Sequence, residues 1–200
     1  MENTAGFNEM DTILNDVNGL FMCLGFDYGY PTDTIVIEKG MTSLGALAED
    51  TLYTVKTTSD VNTKVNSVEI NVATGNFTVV YTLKVGEKLL FTELTALTGK
   101  PEEKFNKNVV DNDATVVETL VGVTVPNKAV SLYVNSQKDG AKMYVLNADG
   151  TATTLNAAFD SNKVLTATAK VAGPVVVTDK AITASSATTG TGTTTNPGTG

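Results

Sequence analysis

The stretch VNSVEINVATGNFTVVYTLKVGE (residues 65–87) decides the fold class of this chain. Apolar and polar residues alternate on both sides of a turn-forming ATGN (residues 73–76). The alternating apolar residues are Val68, Ile70 and Val72 before the turn and Phe77, Val79 and Tyr81 after it. A period of two buries one face of a strand and leaves the other in water, so the stretch predicts a β-hairpin.

Similar short runs fill most of the remaining sequence. Residues 34–40 and 51–58 predict strands before the hairpin. Further strand-like runs follow residue 113: ATVVETLVGVTVP, AVSLYVN, AKMYVLN, TATTLN, KVLTATAKV and PVVVTDK. Asp139-Gly140 and Asp149-Gly150 are typical of hairpin turns, which need a positive φ. Several short strands at close spacing predict a mainly β chain, folded as an antiparallel β-sandwich or barrel.

Two stretches have helical spacing instead. Residues 1–25 predict an N-terminal amphipathic helix, which either packs on a sheet or docks on a neighbouring subunit. Its apolar face consists of Phe7, Met10, Ile13, Leu14 and Val17. A short helix is predicted near residues 90–98, where three leucines share a helical face ahead of Gly99 and Pro101. These leucines are Leu90, Leu94 and Leu97.

Turn-forming Asn and Asp residues cluster within residues 105–113 and indicate an internal boundary. The predicted organisation after the N-terminal helix is a β-rich domain over residues 26–108 and a β-sandwich-like domain over residues 109–182. Residues 183–200 are rich in Thr and Gly, lack charge and large apolar side chains, and predict an extended tail of linker or stalk type.

Composition argues against most chemistry. His, Arg and Trp are absent, all 14 basic residues are lysines, and the formal net charge is -8. The chain therefore lacks the usual general base and bidentate phosphate clamps, and its charge disfavours nucleic acid. No segment is apolar enough to predict membrane insertion. We predict no catalytic, cofactor-binding or metal-binding residues, no cofactor, and an inert buried thiol at Cys23.

Three local patterns have a possible functional role and an ordinary structural one. Asp111 and Asp113 resemble the start of a calcium loop, but the later EF-hand positions do not match, so a solvated turn is favoured. Asn76 begins a glycosylation sequon that lies at the predicted hairpin turn. Tyr28 and Tyr30, in a turn-rich stretch, would suit stacking on a sugar or covering a sheet edge.

The ending NPGTG (residues 196–200), after a Thr-rich stretch, resembles the sorting signal and stalk of Gram-positive cell-surface proteins. The last third of the chain is also similar to the β-sandwich modules of such proteins. Asn196 replaces the Leu typical of the signal, and no leader, hydrophobic span or cationic end is present in the sequence. A Thr-rich, β-rich chain with one Cys, an arm-like end and no export signal resembles, in kind, the structural proteins of phage virions.

These features rank three functions. The first is a non-catalytic structural subunit of a virion, of capsid-decoration or tail type, or of a similar shell, with neighbouring copies or other shell subunits as partners. The second is a bacterial adhesin or S-layer-like module with a Thr-rich stalk, located outside the cell or in the cell wall. The third is a glycan-binding module whose partner is a surface glycan.

Overall fold

The computed structural model describes residues 29–45, 47–58, 67–135 and 137–186. Within these ranges the chain forms 14 strands and one helix. The elements are β1 (Thr32–Ile37), β2 (Thr51–Thr57), β3 (Ser67–Thr74), β4 (Phe77–Lys84), β5 (Lys88–Leu94), α1 (Lys100–Asp111), β6 (Val116–Leu120), β7 (Gly122–Thr124), β8 (Ala129–Val134), β9 (Lys142–Leu146), β10 (Ala152–Thr154), β11 (Ala158–Phe159), β12 (Leu165–Lys170), β13 (Val175–Thr178) and β14 (Ser185–Ser186). The prediction of a mainly β chain is confirmed.

The strands form three sheets, mostly antiparallel. Sheet I has the order β1-β2-β5-β7, sheet II the order β11-β12-β8-β4-β3, and sheet III the order β14-β10-β9-β13-β6. The hairpin predicted from residues 65–87 is confirmed as β3 and β4, with Thr74 opposite Phe77 across the turn. Gly75 in that turn has a φ of 57°, a conformation that glycine adopts without steric cost.

One apolar core joins the three sheets. Phe91 of sheet I is fully buried and contacts Tyr53 of its own sheet and Tyr81 of sheet II. The same core includes Leu132 of sheet II and Val177 of sheet III. Sheet II itself pairs β4 with β8, so residue 108 does not separate two sheets or two cores.

The predicted helix near residues 90–98 is wrong. Residues 88–94 form β5, because burial there has a period of two, with Leu89 and Phe91 pointing into the core. The helix begins only at Lys100, so Gly99 and Pro101 mark its start instead of the end of a preceding helix. The Asn-rich residues 105–113, predicted as a boundary, lie largely within this helix.

Helix α1 covers the outer face of sheet III. Phe105 and Val109 lie four residues apart on one helix face and pack against Tyr144 and Val176. All four residues of β13 are buried, since Val175 and Val177 face the main core while Val176 faces the helix. This continuous apolar run is the pattern expected of a strand covered on both faces.

Turn chemistry alone did not determine which strands pair. Asp149 and Gly150 join β9 to β10 as an antiparallel hairpin, which confirms that prediction. Asp139 and Gly140 form a turn, but the strands on either side belong to sheets II and III. The hairpin predicted there is therefore wrong. Strands β1 and β2 pair in parallel, which gives sheet I a mixed character.

The predicted tail begins too early. Ile182 is buried against α1, and its backbone N–H donates to the Tyr144 hydroxyl at 3.0 Å. Asn108 donates to the carbonyl oxygen of Thr183 at 2.8 Å, and β14 pairs in parallel with β10. Residues 183–186 thus belong to the fold. Residues 187–200, the predicted N-terminal helix over residues 1–25 and Cys23 lie outside the described residues.

Candidate functional site: the outer face of sheet II

The solvent-facing side of sheet II carries two rows of small and hydroxyl-bearing side chains. These rows follow from the strand registers, because residues paired across neighbouring strands lie on the same face. The first row runs Ala73, Thr78, Tyr133, Thr166 and Ala158 across all five strands. The second row runs Asn71, Val80, Ser131 and Thr168.

Alternation in two strands creates this face. In β8 the residues between Ser131 and Tyr133 and on either side of them are buried core residues. In β12 Leu165 and Ala167 point inward, while Thr166 and Thr168 point outward. The core requirement of sheet II therefore forces the hydroxyl groups onto the opposite face.

An open groove of about 360 Å³ lies on this face. Its lining consists of Tyr133, whose ring is partly exposed, and six small or polar residues. These are Ser131, Asn156, Ala158, Thr166, Ala167 and Thr168. The hydroxyl oxygens of Ser131 and Thr168 are 3.2 Å apart, and the Thr166 hydroxyl donates to the carbonyl of Ala158 at 3.1 Å. No charged side chain lines the groove among the described residues.

A second cavity, of about 190 Å³, is lined mainly by apolar residues. It lies between the β3–β4 hairpin and the junction of β6 with β7. The Tyr81 hydroxyl donates to the carbonyl of Val123 at 3.0 Å, and burial raises the pKa of Tyr81 to about 12. This hydroxyl stays protonated at neutral pH, so it is not suited to act as a general base.

The outer edge of β3 is the longest edge of sheet II with no paired strand among the described residues. β3 has eight residues, and β4 pairs with only one side of it. The backbone N–H of Asn71 points outward and donates to the carbonyl of Thr42 at 3.1 Å. Since backbone groups of alternate residues point the same way, those of Ser67, Glu69 and Ala73 face outward too. None of these three has an outward backbone partner among the described residues.

The patterns singled out in the sequence lie elsewhere. Asp111 pairs with Lys107 and Asp113 with Lys180, so both carboxylates have lysine partners. The hydrogen bond from Lys180 lowers the pKa of Asp113. Asn76 lies at the β3–β4 turn and donates to the Glu118 carboxylate.

Of the two tyrosines considered for sugar stacking, Tyr30 is 48% exposed and Tyr28 lies outside the described residues. Tyr30 does not line the groove, and sequence reasoning did not single out Tyr133. The available signal was that Ser131 and Tyr133, and likewise Thr166 and Thr168, alternate with apolar residues along their strands. These four residues define one face only once the pairing of β8 with β12 is known.

The described part of the chain holds no group of three or more His, Cys, Asp or Glu side chains arranged to bind a metal ion. Nor is any helix in those ranges long and apolar enough to cross a membrane. No protein-family model, curated protein or solved structure matches the chain. Function is therefore inferred from the geometry and chemistry of the chain itself.

Proposed function

We propose that the protein is a non-catalytic structural subunit of a self-assembled shell, of the kind found in virions as capsid-decoration or tail proteins. Its three sheets around one core would be a sandwich-type packing suited to a rigid building block. The proposed partners are neighbouring copies or other shell subunits, and the proposed location is the virion. The observation that carries the proposal is the outer edge of β3.

An open strand edge is a template for pairing with another chain. Monomeric proteins usually blunt such edges with proline, bulges, inward-pointing charges or very short strands. β3 is eight residues long, contains no proline, and has regular pairing with β4 over its whole length. Its one charged residue, Glu69, points outward with Ser67 and Asn71. A loop residue, Thr42, bonds the outward N–H of Asn71. The outward backbone groups of Ser67, Glu69 and Ala73 have no such partner among the described residues, so this part of the edge is suited to completion by a strand of a neighbouring subunit.

The C-terminal region supports the same reading. After Ile182 the chain runs along the edge of sheet III and adds β14 to it as a two-residue parallel strand. The 14 residues that follow in the sequence are rich in Thr and Gly and contain no charge. A polar, uncharged segment of this composition is chemically suited to pair with the edge of another subunit.

Ala73 allows a sharp test at the β3 edge. Its backbone N–H faces away from β4, so Ala73→Pro removes an outward donor without removing a bond of the β3–β4 hairpin. Ala73→Thr is the matched control, because it keeps the N–H and favours a strand. We expect wild type and Ala73→Thr to gain molar mass with concentration in light scattering, and Ala73→Pro to stay smaller at an unchanged melting temperature.

Two results would count against this function. One is a wild-type chain that stays monomeric over the whole concentration series. The other is an Ala73→Pro variant that assembles like wild type, since the edge of β3 would then have no part in assembly.

A further inference from the structure

We propose that the groove on the outer face of sheet II binds a neutral carbohydrate chain, with a sugar ring stacked on Tyr133 and its hydroxyl groups bound by the surrounding polar side chains. This activity is separate from assembly through the β3 edge. It concerns a different face of the molecule and a different class of ligand.

The aromatic ring supplies the first element of recognition. Tyr133 lies at the centre of the first row, with Thr78 and Thr166 opposite it on the neighbouring strands. It is 37% exposed, so part of its ring is accessible to a ligand. A tyrosine offers an apolar ring face and a polar tip, which match the C–H face and the hydroxyl rim of a pyranose. Its hydroxyl has no hydrogen-bond partner among the described residues.

The polar lining supplies the second element. Ser131, Thr166 and Thr168 carry hydroxyls, which donate and accept, and Asn156 adds an amide that does both. The contact between the Ser131 and Thr168 hydroxyls, at 3.2 Å, and the bond from Thr166 to the Ala158 carbonyl orient these hydroxyls before a ligand arrives. Hydroxyl and amide groups bind the hydroxyl groups of a ligand through hydrogen bonds, and neither the protein groups nor the ligand needs a net charge.

The charge pattern selects a neutral ligand. Charged residues flank the groove on both sides. Lys170 and Glu69 lie beyond the second row, opposite Ala129 and Thr82, and Asp160 follows Ala158 by two residues at the other end. They carry both signs, and none of them belongs to the groove lining. An anionic polymer would find no cationic cluster in the groove, and the net charge of -8 would repel it.

The shape favours a chain over a small enclosed molecule. The groove is open, and its lining spans the neighbouring strands β8, β12 and β11, spaced about 4.8 Å apart. Small-molecule sites usually enclose most of the ligand surface, which this groove does not. A flat face with polar groups repeated across strands instead matches an extended oligosaccharide lying over several strands.

The first experiment uses the full chain and a panel of probes. The probes are neutral hexasaccharides of β-1,4-linked glucose, β-1,4-linked N-acetylglucosamine and α-linked mannose, with hexagalacturonate as the anionic control. We expect at least one neutral probe to shift the amide resonances of Tyr133, Thr166 and Asn156 at millimolar concentration. No binding of any neutral probe, shifts centred elsewhere, or binding of the anionic probe alone would overturn the proposal.

Variants then test whether Tyr133 supplies the aromatic ring on which the sugar stacks. Tyr133→Ala should weaken binding of the responding probe by about tenfold or more, the effect of losing an aromatic anchor. Tyr133→Phe keeps the ring and should retain most of the affinity. If Tyr133→Ala fails to fold, Tyr133→Thr removes the ring with a residue that favours strands. Tyr30→Ala removes an exposed tyrosine outside the groove and should have no effect. Equal loss in the Tyr30 and Tyr133 alanine variants, or none in either, would overturn the assignment.

Two of these variants distinguish carbohydrate binding from the proposed assembly function. Ala73→Pro disrupts the β3 edge but leaves the groove lining intact. It should therefore bind the probe like wild type even where it no longer assembles. Conversely, Tyr133→Ala should assemble like wild type.

Discussion

At the scale of single residues, one ion pair is shielded well enough to influence stability. Both oxygens of Glu87 lie within 2.7 Å of the Lys128 ammonium, and the side chains are only 26% and 17% exposed. Partial burial acts to raise the pKa of Glu87, but hydrogen bonds from Lys128 and from the backbone of Lys84 outweigh it, so the pKa is lowered. The pair links the turn before β5 to the loop before β8.

We expect Glu87→Gln to lower the free energy of unfolding by about 1 kcal/mol at pH 7. Because the pKa of Glu87 is lowered in the folded state, its stabilisation is fully present above the unfolded pKa of about 4.3. It is lost as the pH falls through the folded pKa. Urea denaturation from pH 7 down to pH 3 should therefore show the difference between wild type and variant shrinking below about pH 4.3.

Asp111→Asn is the control for that prediction. Its partner Lys107 and Asp111 itself are mostly exposed, and the carboxylate lies in the last turn of α1, where a negative charge opposes the helix dipole. This variant should stay within about 0.5 kcal/mol of wild type. A pH-independent loss in Glu87→Gln would indicate a packing effect and contradict the electrostatic account.

Residue types alone could not identify the groove. Tyr28 and Tyr30 stand out in the sequence because a turn-rich stretch surrounds them, whereas Tyr133 sits in an ordinary strand pattern. Ser131 and Thr168 are far apart in sequence and meet only through the pairing of β8 with β12. Which strands pair depends on long-range packing, so this face could not be identified from the sequence, although β8 and β12 were each predicted as strands.

At the scale of elements, Gly150 ties the β9–β10 hairpin to the start of α1. Its φ is 79°, and a Cβ at this position would lie 2.8 Å from the Cα of Pro101. Gly86 has a similar φ of 83° but open space around it. The two glycines therefore separate the cost of the backbone conformation from the cost of the close approach.

We expect Gly86→Ala to cost about 1–2 kcal/mol, from the left-handed conformation alone. Gly150→Ala should cost roughly 1–3 kcal/mol more, because the helix start must move away from the hairpin. Thermal or urea denaturation of both variants measures the difference. Equal losses would show that Pro101 yields without cost and that the hairpin does not position the helix.

The C-terminal elements allow a second test. Truncation after residue 181 removes Ile182, which is 7% exposed, together with β14 and the acceptor of the Asn108 bond. The loss of Ile182 alone should lower the unfolding free energy by about 2–5 kcal/mol. Truncation after residue 186 keeps all of these contacts, so we expect a wild-type melting temperature. If the variant truncated after residue 186 melts at a lower temperature than the full chain, residues beyond 186 also stabilise the fold.

Helices and strands were predicted correctly where the sequence signal was local. The prediction failed where the same residues fitted both a helix and a strand. The β3–β4 hairpin needs only alternation and a two-residue turn, both visible in residues 65–87. Leu90 and Leu94 fit a helical face as well as a strand, and burial of Leu89 and Phe91 decided for the strand. The stronger helix signal was Pro101 followed by acidic residues and by Phe105 and Val109 at a spacing of four.

At the scale of the whole molecule, the sequence predicted the class but not the arrangement. Parallel pairing of β1 with β2 has no local signature, because it depends on a crossover of intervening chain. The placement of β8 and β9 in different sheets was equally invisible, since their turn resembles that of a hairpin. The common core formed by all three sheets implies that they unfold together.

A substitution at Phe91 tests whether the sheets unfold together. The ring of Phe91 is fully buried, and its centroid lies 5.3 Å from that of Tyr53 and 6.0 Å from that of Tyr81. Phe91→Ala should cost about 3–5 kcal/mol. If the sheets form one cooperative unit, the loss should appear equally in amide exchange at Leu132 in sheet II and Val177 in sheet III, and calorimetry should show one transition. Val110→Ala, at a helix position 75% exposed, should leave both probes unchanged. Two calorimetric transitions, with Val177 still protected in Phe91→Ala, would instead show that sheet III is stable without the rest of the molecule.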